Sequence, residues 1–272
     1  MGQRVCRAIS LGKPDPGPCA GFKNVAAITG VFGRHSRMRI DLNADVGEGC
    51  GQDAALMRSI SSANVACGLH AGDPAVMRDT LLLAREHGVA VGAHPGFADR
   101  EHFGRRDLQL PPEEITDLVA RQIDALSAIA AGAGIRVQHV KPHGALYNIA
   151  VRDRRVADAI ARGTASVDPS LILVGLPDSQ LVAAGAAAGL RTAREAFADR
   201  AYRPDGTLLA RSEPGAVIYD PADVLARVVE LAQRPNVDTI CVHGDTPGAA
   251  ELAAGIRAAL EAAKIEVRNL SI

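Results

Sequence analysis

Short apolar runs recur along most of the chain, each followed by a polar cluster and then by an Ala- and Leu-rich stretch of helical period. The runs predict strands over 38–42, 63–66, 89–93, 135–140, 171–174, a weaker 190–194, 216–219 and 239–242. The stretches between them predict helices over about 53–61, 74–87, 112–132, 153–165, 178–188, 221–233 and 246–263. Several ends carry their own signals. Asp73 before Pro74 reads as an N-cap followed by proline in the first turn, and Gly88 follows Glu86-His87 as a C-terminal stop. Pro111-Pro112-Glu113-Glu114 opens the third helix with acidic groups at its positive end.

Strands that alternate with helices imply a parallel sheet with right-handed crossovers. Seven to eight such units predict an α/β fold, a single (β/α) barrel over residues 38–272 with no second domain. An open doubly wound sheet is the competing architecture, but no G-x-G-x-x-G follows the first strand.

The polar clusters fall at the strand ends, where a barrel gathers side chains into one mouth. They are Asn43, Asp45 and Glu48; Asn64, His70 and Asp73; His94; Lys141 and His143; Glu195, Asp199, Arg200 and Tyr202; and His243 and Asp245. Four of the eight histidines, His70, His94, His143 and His243, occupy equivalent strand-end positions. His35, His87, His102 and His139 do not, and they are given no role. Asp45 and Glu48 are two carboxylates at one strand end, suited to general base work or to orienting an amine or a metal. The glycines around His70 let backbone approach a ligand, while Asp73 alone reads most simply as a cap. Lys141 leaves an apolar strand and needs an anionic partner, which is either a buried Asp45 or Glu195 or a bound carboxylate or phosphate. Asp45, His70 and His94 have the chemistry to hold a divalent ion, magnesium included, but their spacing does not assign them as metal ligands.

Composition narrows the field. Hydrophobic residues are 47% and charged residues 22%, and no apolar run reaches the roughly 20 residues that span a bilayer, which excludes an integral membrane protein. The net charge of −1 argues against a general nucleic-acid binder. Aromatics at 3%, with no tryptophan, leave a core of Ala, Val, Leu and Ile. That charge is unevenly spread. Residues 1–37 hold Arg4, Arg7, Lys13, Lys23, Arg34 and Arg37 against Asp15 alone, so the rest of the chain is net acidic. This segment, broken by Gly12, Pro14, Pro16, Gly17 and Pro18, reads as a disordered basic extension upstream of a natural start at Met38. Five widely spaced cysteines without C-x-x-C point to a reducing cytoplasm. There is no P-loop, no G-x-S-x-G elbow and no H-E-x-x-H helix.

Six motifs, in order, carry a resemblance. They are Ile40-Asp-Leu-Asn-Ala-Asp-Val-Gly-Glu48, Ala63-Asn-Val-Ala-Cys-Gly-Leu-His-Ala-Gly-Asp-Pro74, Gly92-Ala-His-Pro-Gly96, Val140-Lys-Pro-His-Gly-Ala-Leu-Tyr-Asn148, Glu195-Ala-Phe-Ala-Asp-Arg-Ala-Tyr202 and Val242-His-Gly-Asp245. From Met38 nearly to the C-terminus the chain resembles the LamB/YcsF family. The resemblance implies a barrel of the glycoside hydrolase/deacetylase type. It also implies ATP-dependent opening of 5-oxo-L-proline to L-glutamate, with ATP as co-substrate and with partner subunits B and C of a 5-oxoprolinase. On that chemistry, phosphorylation of the lactam oxygen makes a better electrophile, and water attacks it with help from a strand-end base. Asp45, Glu48, His70, His94, Lys141, His143, Glu195 and His243 are then the catalytic candidates. Asn43, Asn64, Asp73, Arg200, Tyr202 and Asp245 are the substrate-binding candidates, with Lys141 and Arg200 able to hold a carboxylate or phosphoryl group. Two rival functions stay open: a metal-dependent deacetylase or amidohydrolase, and a non-catalytic subunit that presents substrate. Ala44 stands where the family commonly has cysteine, so no thiol chemistry is assigned there, and residues 1–37 have no family counterpart.

Overall fold

The computed structural model describes residues 38–244 and 248–271. The expected extension at 1–37 and the candidate Asp245 lie outside the described residues. Among the described residues eight strands and eight α-helices follow in the order β1 (Arg39–Val46), α1 (Asp53–Leu56), β2 (Ser62–Ala66), α2 (Pro74–Glu86), β3 (Ala90–His94), α3 (Pro112–Gly132), β4 (Val137–Val140), α4 (Gly144–Ala150), α5 (Arg154–Val167), β5 (Ile172–Gly175), α6 (Gln180–Ala187), β6 (Arg191–Phe197), α7 (Pro221–Gln233), β7 (Thr239–Val242), α8 (Ala249–Ala262) and β8 (Glu266–Val267). Strands β1 to β7 pair in sequence, all parallel, and β7 returns to β1, closing a seven-stranded barrel. The short β8 pairs only with Arg39 and Ile40 at the start of β1.

β1 shows how the sequence builds this barrel. Ile40, Leu42, Ala44 and Val46 alternate with Asp41, Asn43 and Asp45, and all seven are buried. In a strand this alternation sends one set to each face. The apolar set joins the main hydrophobic core and the polar set meets side chains from strands across the lumen. The barrel therefore has a polar interior, and β1 runs past its expected end at Leu42 to Val46. The polar residues that suggested a strand end are its lumen-facing half. The same reason extends β6 through Glu195 to Phe197.

Outside the lumen, small residues set the spacing between helices. In α5 a Cβ added at Gly163 would lie 2.6 Å from the Thr116 carbonyl of α3, so these two helices are as close as the backbone allows. This is how a core nearly free of aromatics packs tightly. Each fully buried Leu, Ile or Val still contributes about 1.5–3 kcal/mol.

Other expectations need correction. The strand expected at 216–219 is absent, because the segment lies in a loop where only Val217 bridges to Arg200. The helix expected over 53–61 stops at Leu56, since the Ser61 amide donates to the Leu42 carbonyl and draws that segment into the sheet edge. The helix Gly144–Ala150, directly after the Lys-Pro-His motif, was not expected.

Candidate active site

The lumen side chains form two polar layers under the mouth. In the lower one the Lys141 ammonium lies 2.9 Å from Glu195 Oε1, 3.0 Å from Asp45 Oδ1, 3.0 Å from Cys241 Sγ and 3.3 Å from Asn43 Oδ1. Three N–H donors thus face four acceptors, all deeply buried. Burial works against the charge on Lys141, but Asp45, Cys241 and Glu195 outweigh it and hold the ammonium well above its usual range. Burial likewise opposes charge on Asp45, yet His94 and Lys141 keep the carboxyl well below its usual range. Both sequence alternatives for a protein partner are realised at once. Lys141 is engaged by the protein rather than left for a substrate anion.

Asn43 and Asn64 serve this layer. Asn43 Nδ2 donates to Glu195 Oε1 at 3.0 Å and to Thr239 Oγ1 at 2.7 Å. Asn64 Nδ2 donates to Asn43 Oδ1 at 2.7 Å and to Asp45 Oδ1 at 2.9 Å. His139, given no role from sequence, lies 2.9 Å from Asn64 Oδ1 through Nε2. A Cβ at Gly92 would sit 2.1 Å from that imidazole, so β3 needs glycine there. Burial, then Lys141 and His94, push His139 down to about 3.

The upper layer holds Glu48, His70, His94 and His143. His94 Nδ1 lies 2.7 Å from the Lys141 carbonyl, and His143 Nε2 lies 2.8 Å from the Phe103 carbonyl. Their other nitrogens face one another at 3.0 Å. His70 stacks on His143, with centroids 3.8 Å apart and the planes within 7°. Burial pushes His70 down to about 4 and also lowers His143. Burial opposes charge on Glu48 too, but its contacts with the His143 and His70 imidazoles bring it to about 2. For His94, Asp45 overcomes the effect of burial and the imidazole is raised.

Beside these layers, His243 Nδ1 sits 2.9 Å from both carboxylate oxygens of Asp199. Burial acts against Asp199's charge, and His243 more than offsets it, holding the carboxyl down. The His243 ring stacks on Phe197 at 5.2 Å.

These groups open into a cavity of about 480 Å³. Asp45, Glu48, His94, Lys141, His143 and His243 line it, together with Arg105, Arg152, Arg200, Arg203 and Arg211. Among the sequence candidates, Glu195 and His70 stand immediately behind this lining. Asn43 and Asn64 hold the lower layer in place instead of facing the cavity. Asp73 is exposed and caps α2 through the amides of Ala75 and Val76, so it does not reach the mouth. The Tyr202 hydroxyl accepts from the Phe197 amide at 2.6 Å, a structural bond. Arg200 reaches the cavity, with its guanidinium tied to the carbonyls of Ala216 and Leu209.

Of the cavity arginines the sequence points to Arg200 alone, and it gives no sign of Tyr147. Tyr147 is buried against the cavity, its hydroxyl has no hydrogen bond among the described residues, and burial and then Glu195 push its phenol well above the usual range. The arginines arrive from loops and turns without a shared motif. Their only sequence signal was the near-exclusive use of arginine for cations.

The LamB/YcsF family profile matches residues 40–272. The A component of a 5-oxoprolinase from Rhodopseudomonas palustris is 51% identical over 248 residues, which cover 85% of this chain and 98% of the relative. The crystal structure of a lactam utilization protein from Thermus thermophilus superposes with a TM-score of 0.78 at 45% identity, over 85% of this chain and 99% of that one. The catalytic domain of a peptidoglycan N-acetylglucosamine deacetylase from Eubacterium rectale shares the fold, with a TM-score of 0.52 at 13% identity over 90% of this chain and 93% of that one. The barrel is thus of the type expected from the sequence.

Proposed function

The chain belongs to the LamB/YcsF family, and from that premise we propose that it is the lactam-opening subunit of an ATP-dependent 5-oxoprolinase, acting with partner subunits B and C. The observation that carries the reading is one cavity lined both by imidazoles and carboxylates and by five arginines. 5-Oxo-L-proline needs both kinds of group. Its carboxylate, and a phosphoryl group passed to its lactam oxygen from ATP, are anions suited to guanidinium donors. Its activated carbonyl carbon needs a water stripped of a proton.

His243, whose imidazole lines the cavity, suits that proton. Asp199 holds Nδ1, which leaves Nε2 to accept the proton as the water oxygen bonds to the lactam carbon. The C–N bond then breaks, the nitrogen takes a proton and becomes the amine of γ-glutamyl phosphate, and a second water hydrolyses that acyl phosphate to glutamate and inorganic phosphate. Asp45 and Glu195, fixed by Lys141, set the charge beneath the reacting carbon. No helix among the described residues is long and apolar enough to cross a membrane.

The test is reconstitution of this chain with subunits B and C. ATP and 5-oxo-L-proline should yield glutamate and ADP in equal amounts, and omission of this chain should abolish glutamate. Glutamate formed without it, or no product from the complete set, overturns the reading. A second reading, metal-assisted amide hydrolysis without ATP, is favoured by the Glu48, His70, His94 and His143 cluster. It predicts turnover of an N-acetyl substrate by the chain alone, lost on chelation.

A further inference from the structure

We propose that Glu48, His70, His94 and His143 form a binding site for one divalent transition-metal ion, with zinc the best match to the donor set. The inference deepens the proposed function, because Glu48, His94 and His143 face the same cavity. It rests on three features of the upper layer.

The first is spacing. Glu48 Oε1 lies 3.3 Å from His143 Nδ1, 3.4 Å from His70 Nε2 and 3.8 Å from His94 Nε2, and the two nitrogens of His94 and His143 lie 3.0 Å apart. All four donor atoms fall within 4.8 Å of one another. Around an ion with bonds of about 2.1 Å, neighbouring ligand atoms stand roughly 3.0–3.5 Å apart.

The second is the direction of the lone pairs. A carbonyl oxygen only accepts, so His94 Nδ1 and His143 Nε2, each bonded to a carbonyl, carry the ring hydrogens. In the neutral rings His94 Nε2 and His143 Nδ1 then point lone pairs at each other and at the Glu48 carboxylate. Three electron-rich atoms facing inward require a cation between them. A backbone carbonyl that fixes the outer nitrogen is also how proteins orient metal-binding imidazoles.

The third is the contrast with the other cluster of donors, Asp45, Cys241 and His243. There Lys141 already supplies the positive charge, 3.0 Å from both Asp45 and Cys241. In the upper layer the groups that close around Glu48 Oε1 are imidazoles, which bring no fixed charge of that kind. Three imidazoles with one carboxylate suit zinc and its neighbours, whereas magnesium prefers oxygen donors and water. The donor set therefore differs from the Asp45, His70 and His94 trio suggested by sequence, and it argues against magnesium here. An ion so held would supply a Lewis acid at the cavity wall.

The competing occupant is a proton on His94, shared toward Asp45 and His143. Calorimetric titration decides between them. The full chain, stripped with chelator and dialysed, is titrated with zinc chloride and in parallel with magnesium chloride. One equivalent of zinc should bind, with magnesium at least about 100-fold weaker, and zinc should raise the melting temperature. The Glu48→Gln/His143→Ala double variant should weaken zinc binding by about 100-fold or more, and Cys241→Ser should keep the full equivalent. Far-UV circular dichroism checks that each variant is folded.

No zinc uptake by the folded wild-type chain overturns the proposal, whether or not the variants fold. Loss of the equivalent in Cys241→Ser with retention in the double variant also overturns it, by moving the ion to the other cluster. Zinc uptake without glutamate formation in the reconstituted complex leaves the site standing and defeats the reaction assigned to it. Glutamate formation by a chain that takes up no zinc does the reverse.

Discussion

The two layers inside the barrel solve one electrostatic problem differently. In the lower, an ammonium from the chain itself lies between two buried carboxylates, and Asn43 and Asn64 add hydrogen bonds, with Glu195 Oε2 left unpartnered among the described residues. In the upper, a carboxylate and three imidazoles converge, and the barrel strands deliver no second lysine between them. The lower layer carries its own cation, whereas the upper is shaped to receive one. Buried ionic groups of similar composition can therefore be scaffold or site, and what separates them is whether the chain supplies the opposite charge.

The strongest way to break this contrast is to remove the lower cation. Lys141→Met leaves Asp45 and Glu195 buried without it and should cost about 3–5 kcal/mol of stability by denaturant unfolding. A loss below about 1 kcal/mol would mean that the layer is not neutralised by Lys141 alone. Lys141→Arg keeps the charge but cannot place a planar fork where a compact ammonium meets four acceptors, so activity should fall even in folded protein.

Next in size is the proton acceptor, which belongs to neither layer. His243→Gln should lower glutamate formation by the reconstituted complex about 10²–10⁴-fold while ATP-independent properties such as melting temperature change little. An unchanged rate would remove His243 from the mechanism.

A smaller effect separates the layers by pH. His139 beneath the lower layer is held down to about 3, while an unfolded histidine titrates near 6.5. Between these values the unfolded chain binds the extra proton, so stability is full above about pH 6.5 and declines as pH falls toward 3. The slope reaches at most about 1.4 kcal/mol per pH unit from this group. His139→Gln should flatten that acid limb in urea unfolding measured from about pH 7 to about pH 4, and an unaltered slope would assign it to other groups.

The smallest concerns a residue outside both layers. Asp73→Ala removes the α2 cap and should cost about 1 kcal/mol with glutamate formation unchanged. A drop in turnover beyond what stability explains would return Asp73 to the substrate.

Much of this was legible in the chain. Alternation of short runs with amphipathic stretches predicts the barrel, and strand-end polarity predicts that Asp45, His94, Lys141 and His243 meet. The two short strand ends share one cause. A strand was ended at its first polar residues, as if the interior were apolar, so β1 and β6 came out short. The apolar residues of 216–219 were read as a strand although they cover a loop. Tyr147 and the cavity arginines other than Arg200 escape notice because their placement depends on how the chain folds over the mouth, and no local spacing records that.

By itself the sequence determined the kind of fold and the set of groups at its mouth, because periodicity is local and decides which side chains a strand sends inward. Only the tertiary structure decided which of those groups are partners. Lys141 and Glu195, or Glu48 and His143, meet through closure and stagger of the barrel, which set distances across the lumen to within the few tenths of an ångström that separate a neutralised ion pair from an open ring of donors.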